Sequence, residues 1–173
     1  MANVLYTSRE QIEVYRFSWV ATILIPAAAF LLQWSLPVRM PFFAVFDLPL
    51  LLTIFFAVAR RNQVSGMMTG AVLGIIQDSL THQPIGLYGI AKTVVGYASS
   101  SLGVRLDVEN PGSRLLMTFG FYIVHQAIYF TVARGLVDLP MEWRWGHTLG
   151  AALANSLLAV VLFTILDRFK ARS

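Results

Sequence analysis

Asp47, Asp78 and Lys92 are the side chains of this sequence best placed to do chemistry, because each interrupts or borders a long apolar run. An ionised group in hydrocarbon costs roughly 3 kcal/mol or more unless it is paired, close to the interface or facing water, so three of them call for an explanation. Pro84 marks a turn between the runs that hold Asp78 and Lys92. On antiparallel helices these two would lie about 9 Å and about 12 Å from that turn, and Asp47, just past Pro41, would sit at a similar depth. The spacing predicts an intramembrane polar cluster of Asp47, Asp78 and Lys92, in which the lysine neutralises one carboxylate and the other is wet or protonated. Two uses are open: an ion pair that sets helix register, or a polar site with a transport or catalytic role.

Other polar positions inside apolar runs include His125 and Gln126 in the fifth and Asn155 and Ser156 in the sixth. Such groups usually make interhelical hydrogen bonds contributing about 1 kcal/mol or less. A histidine can relay protons near neutral pH, but no second titratable group falls beside His125 by spacing, so it reads as a packing residue. An enzyme reading fails on inventory. An intramembrane aspartyl protease needs two facing aspartates and a Gly-x-Gly-Asp element, whereas Asp78 follows Ile76 and Gln77. There is no His-Glu-x-x-His pattern, and Ser65 before Gly66 lacks the setting of a serine nucleophile. With no cysteine, disulfides, thiolate metal sites, haem attachment and cysteine nucleophiles drop out. No catalytic residue, metal site or cofactor is expected.

The elements that must position these residues are helices. Of 173 residues, 57% are hydrophobic, and they gather in six runs at 17–36, 42–59, 64–81, 85–102, 115–133 and 148–166. About 20 apolar residues in a helix cover roughly 30 Å of hydrocarbon, so each run is the length of a membrane span. The fold class is therefore all-α: a polytopic membrane protein with six transmembrane helices in a single domain over residues 1–173. The gaps leave no room for a separate soluble catalytic domain. Arg16, the run from Phe17 and the alanines 27–29 imitate a signal peptide, but the run continues to Leu36 and Glu10 and Glu13 precede it, so an uncleaved first span is expected.

An even number of spans leaves both termini on one side. That side collects Arg9, Arg16, Arg60, Arg61, Arg105, Arg114, Arg168, Lys170 and Arg172, against Arg39, Arg134 and Arg144 on the other. The positive-inside rule then puts both termini in the cytoplasm. Pro37, Pro41, Pro84 and Pro140 fall in the three outward connections. The net charge of +4 is spread singly over short loops, which suits lipid headgroups and not nucleic acid.

Gly66, Gly70 and Gly74 recur every fourth residue and so line one face of the third span. A strip without side chains lets another helix approach closely, and dispersion then supplies what the hydrophobic effect cannot supply in lipid. The neighbour is either a helix of the same bundle or the helix of a partner protein.

The segment Arg61–Gly103 resembles the signature region of the rod shape-determining protein MreD family: a glycine-rich third span running into an aspartate, a short outer turn, a glycine, and an apolar helix with an aromatic, here Gly70, Gly74, Asp78, Gly86 and Tyr97. Chain length, Pro49 and the basic end at Arg168, Lys170 and Arg172 agree. The resemblance implies a non-enzymatic membrane scaffold of the bacterial elongation machinery that maintains cell shape. Its implied partners are an MreC-like single-span periplasmic protein, MreB, and the polymerase RodA with its transpeptidase. A six-helix bundle of this size is also similar to the substrate-binding subunits of energy-coupling-factor vitamin transporters, the alternative function. Those subunits dock through alanines four apart on the first span, and Ala21, Ala27, Ala28 and Ala29 lack that spacing.

Overall fold

The computed structural model describes residues 15–103, 110–169 and 171–172. Its α-helices are α1 (Trp19–Arg39), α2 (Leu48–Arg60), α3 (Gln63–Leu80), α4 (Leu87–Gly103), α5 (Pro111–Gly135) and α6 (Trp145–Leu166), with short 3-10 turns at Pro41–Val45 and Asp167–Phe169. Side-chain caps start most of them: Ser18 accepts from the Ala21 N–H, Asn62 from Ser65 and Asn110 from Gly112. Arg61 closes α2 in the left-handed region at φ 51°, and the next residue, Asn62, already caps α3. So short a joint makes α2 and α3 antiparallel neighbours. Tyr15–Arg16 pairs antiparallel with Ala171–Arg172, which brings the segment before α1 beside the segment after α6.

By length and apolarity, Trp19–Arg39, Pro111–Gly135 and Trp145–Phe169 are each able to cross a membrane. The second apolar run does not form the continuous span expected over 42–59. It breaks into the 3-10 turn at Pro41–Val45, an extended joint at Phe46 and Asp47, and a helix of 13 residues. Such a helix is about 20 Å long, short of the roughly 30 Å hydrocarbon thickness. Prolines at 41 and 49 and the aspartate cap between them set the break. Pro37 also departs from expectation. It lies inside α1 and not in a connection, costing one helical hydrogen bond while the Met40 N–H still reaches the Leu36 carbonyl at 2.9 Å.

Short as it is, α2 is the centre of the molecule. Every residue from Pro49 to Ala59 is buried, and α2 touches all five other helices. A helix apolar on all sides belongs in a core. Phe55 and Phe56 stack edge-on with each other and with Phe17, and Phe55 also meets Phe163 of α6. By contrast α1 buries only Ala29 and turns Trp19, Leu24, Leu31, Trp34 and Val38 outward. An outward apolar face of that kind suits lipid.

The most intimate helix pair is α3 with α4. A Cβ placed on Gly66 would strike the Gly96 carbonyl oxygen, one on Gly70 the Lys92 carbonyl oxygen, and one on Gly74 would lie 2.5 Å from the Tyr88 carbonyl oxygen. The glycine strip is therefore filled by α4 of the same chain, and no room is left there for a partner's helix. Close backbone approach is what small residues allow in lipid. Gly70→Leu should consequently damage the fold itself, lowering stability by about 3 kcal/mol or more in a detergent unfolding titration. Gly120→Leu, where a new side chain meets open space, should leave the unfolding midpoint unchanged.

Candidate functional site

The broken second run creates the site. In the joint between the 3-10 turn and α2, backbone groups lack helical partners, and two amide side chains supply them. Gln33 of α1 donates to the Phe46 carbonyl at 2.8 Å and accepts from the Leu48 N–H at 2.9 Å. Asn155 of α6 donates to the Val45 carbonyl and accepts from the Asp47 N–H, both at 2.9 Å. Irregular backbone at membrane depth persists only where protein satisfies it in this way.

Held there, Asp47 divides its carboxylate. One oxygen caps α2 by accepting from the Leu50 N–H at 3.0 Å, and the other pairs with Lys92 Nζ of α4 at 2.7 Å. Lys92 is fully buried and makes two further contacts: His125 Nε2 of α5 at 3.3 Å and the Tyr88 ring, whose centroid is 5.1 Å away. An ammonium has three donors and no acceptor, so the carboxylate, the imidazole and the ring face account for all of it. Accepting from Lys92 leaves His125 with its proton on Nδ1, a buried atom without a hydrogen-bond partner. The imidazole is nearly parallel to Tyr88, with centroids 5.9 Å apart, and Tyr88 stacks on Tyr129 at 4.6 Å.

Asp78 lies near this group but bonds to the backbone instead. Its fully buried carboxylate accepts from the N–H groups of Gly86, Tyr88 and Gly89 at 2.8, 2.9 and 3.1 Å. The open amides of a helix N-terminus favour an anion, and here the anion comes from the preceding helix. Gly86, at φ 111°, makes the turn that allows it. As expected of the three residues, the lysine neutralises one carboxylate, that of Asp47; the other differs from expectation, because Asp78 is buried and hydrogen-bonded to backbone amides, where it anchors the start of α4. That anchor matters to the pair, because Tyr88 and Lys92 lie four residues apart on one face of α4 and are carried to Asp47 together.

Sequence reasoning placed His125 in the packing and missed its contact with Lys92, since register between α4 and α5 is not legible from spacing. Tyr88, one helical turn before Lys92, was the available signal. Asn155 does make the interhelical bond expected of it, Ser156 bonds within its own helix to Ala152, and Gln126 donates to the Tyr122 hydroxyl at 2.9 Å. Asp47 lines a cavity of about 270 Å³ together with Gln33, Gln77, Tyr88, Tyr122 and Gln126. Among the described residues no three metal-ligating side chains converge.

The sequence profile of the family described as MreD, rod shape-determining protein MreD, matches residues 14–169. The chain belongs to the MreD family. The match extends far beyond Arg61–Gly103 and takes in Asp47, Asp78, Lys92, His125 and Asn155. No curated protein and no solved structure matches the chain. As an MreD-family protein it has a role in determining rod shape, and it comes from a family of membrane proteins.

Within this chain the Asp47–Lys92 pair is a lock between α2 and α4. Removing one partner of a buried pair strands the other charge, whereas removing both can be nearly neutral. Lys92→Met and Asp47→Asn should each destabilise the protein by about 3–5 kcal/mol, and the double variant should recover most of that loss. Unfolding of all four proteins in detergent measures the cycle, and simple additivity would contradict the lock.

Proposed function

We propose that this chain is a non-enzymatic, multi-pass scaffold of the bacterial inner membrane that gathers the wall-elongation machinery. Its helices cross six times with both termini in the cytoplasm, and its partners are an MreC-like single-span protein, MreB, and RodA with its transpeptidase. The distribution of polarity supports this reading. Lys92 and the carboxylates of Asp47 and Asp78 are partnered inside the bundle, while the open surface between α1 and α6 is apolar. That groove, about 390 Å³ in volume, has Ala28, Ala29 and Leu32 on one wall and Leu158 and Leu162 on the other. Small residues on one wall and leucines on the other suit a single apolar helix packing from the lipid.

The cavity beside Asp47 favours a second reading, a vitamin-type substrate-binding subunit, because it brings amide and phenol groups together around one hollow. The two readings assign importance to different surfaces. On the scaffold reading, Ala28→Trp fills the groove and reduces co-purification of the MreC-like partner roughly tenfold, a loss of about 1.4 kcal/mol, with normal insertion. Undiminished capture with intact rod morphology would count against the groove.

Orientation is open to a clean measurement because the chain has no cysteine. A membrane-impermeant maleimide applied to spheroplasts should label Asp138→Cys and leave Asn62→Cys untouched until the membrane is permeabilised. The opposite pattern would reverse the assignment of sides.

A further inference from the structure

Arg60 ends α2 at the basic end of the bundle, beside a crevice of about 220 Å³ between α1 and α3. We propose that this crevice binds one anionic glycerophospholipid, with Arg60 on the phosphate and an acyl chain along the apolar wall. The inference needs only that the helices lie in a membrane, and it stands or falls separately from the scaffold reading.

Three observations carry it. First, the guanidinium is fixed in place: one terminal nitrogen donates to Ser65 Oγ at 3.2 Å and Thr69 Oγ1 at 3.5 Å, the other to Thr22 Oγ1 at 3.2 Å, and the Phe56 ring centroid lies 5.3 Å from the central carbon. The threonines spend their own protons on the Ser18 and Ser65 carbonyls, so they meet Arg60 purely as acceptors. Three of five guanidinium donors are thereby used, and two are left. Secondly, every one of these partners is neutral. Among the described residues no carboxylate lies within 4.0 Å of Arg60, whereas Lys92 has Asp47 and Arg114 has Asp167. A partly buried cation in lipid needs a counter-charge, and among the described residues none supplies it. Thirdly, the crevice continues away from Arg60 between Pro26, Phe56, Met68, Val72 and Leu73. From Met68 to Leu73 the wall of α3 runs about 7.5 Å, long enough to hold the first part of an acyl chain. A fixed cation with free donors above an apolar slot matches a molecule with an anionic head and a hydrocarbon tail.

The test uses the full chain, purified and delipidated in detergent, with palmitoyl-oleoyl phosphatidylglycerol added and bound lipid counted by native mass spectrometry. Wild type should retain phosphatidylglycerol over phosphatidylcholine, and its unfolding midpoint should rise with the former. Arg60→Gln should lower retention by about five-fold, the loss expected for one basic contact, while Arg168→Gln, which removes the same charge at the same end, should not. Met68→Trp, which narrows the slot and keeps the charge, should also lower retention and serves if Arg60→Gln does not fold. Equal losses in Arg60→Gln and Arg168→Gln would mean diffuse surface charge and overturn the site. Equal retention of phosphatidylcholine, or the same rise in midpoint with inorganic phosphate alone, would overturn it as well.

Discussion

Backbone N–H and C=O groups inside hydrocarbon have no water to turn to, and the joint between Pro41 and Leu48 is where this chain has to meet that constraint. Two prolines and an aspartate cap stop the second run from becoming one long helix, and four backbone groups are left to be satisfied within a few residues. Gln33 and Asn155 do so from helices on either side. Because those amides belong to α1 and α6, satisfying the joint also ties the first and last helices to the central one. The Asp47 carboxylate emerges from this joint at a defined place, and Lys92 meets it there.

The lysine's position depends on a separate device. Glycines at 66, 70 and 74 let α4 lie backbone to backbone on α3, which fixes the distance between the helices. Asp78 then fixes their relative height by holding the first amides of α4. Distance and height together bring Tyr88 and Lys92 to the level of Asp47 and His125. Two carboxylates that look equivalent in the sequence thus do different work. One caps a helix and neutralises a lysine, the other anchors a helix from its neighbour, and the low-dielectric interior makes both arrangements costly to disturb.

Much of the helical framework was legible beforehand. The segment α3 at Gln63–Leu80 lies within a residue of the apolar run at 64–81. The second run was misread because hydropathy measures how greasy a segment is and not whether its backbone is continuous. Pro37 reads as part of a connection for a related reason: near a helix end the loss of one hydrogen bond is tolerable, so the helix runs on through it. The three charged residues were recognised as important from the cost of burying them. Their pairing was not, since depth along an axis leaves rotation about that axis free.

Run length, apolarity and the placement of lysine and arginine are properties of the sequence alone. They determine that the chain is a membrane-type helical protein, and the family match over residues 14–169 determines its relation to rod shape. Tertiary structure alone decided which polar groups meet: Lys92 with Asp47 and His125, Asp78 with the start of α4, Arg60 with the hydroxyls of Thr22, Ser65 and Thr69. The physical reason is that hydrogen bonds and ion pairs depend on contacts within about 3 Å. Contacts at that range depend on how helices far apart in the chain rotate and slide against one another.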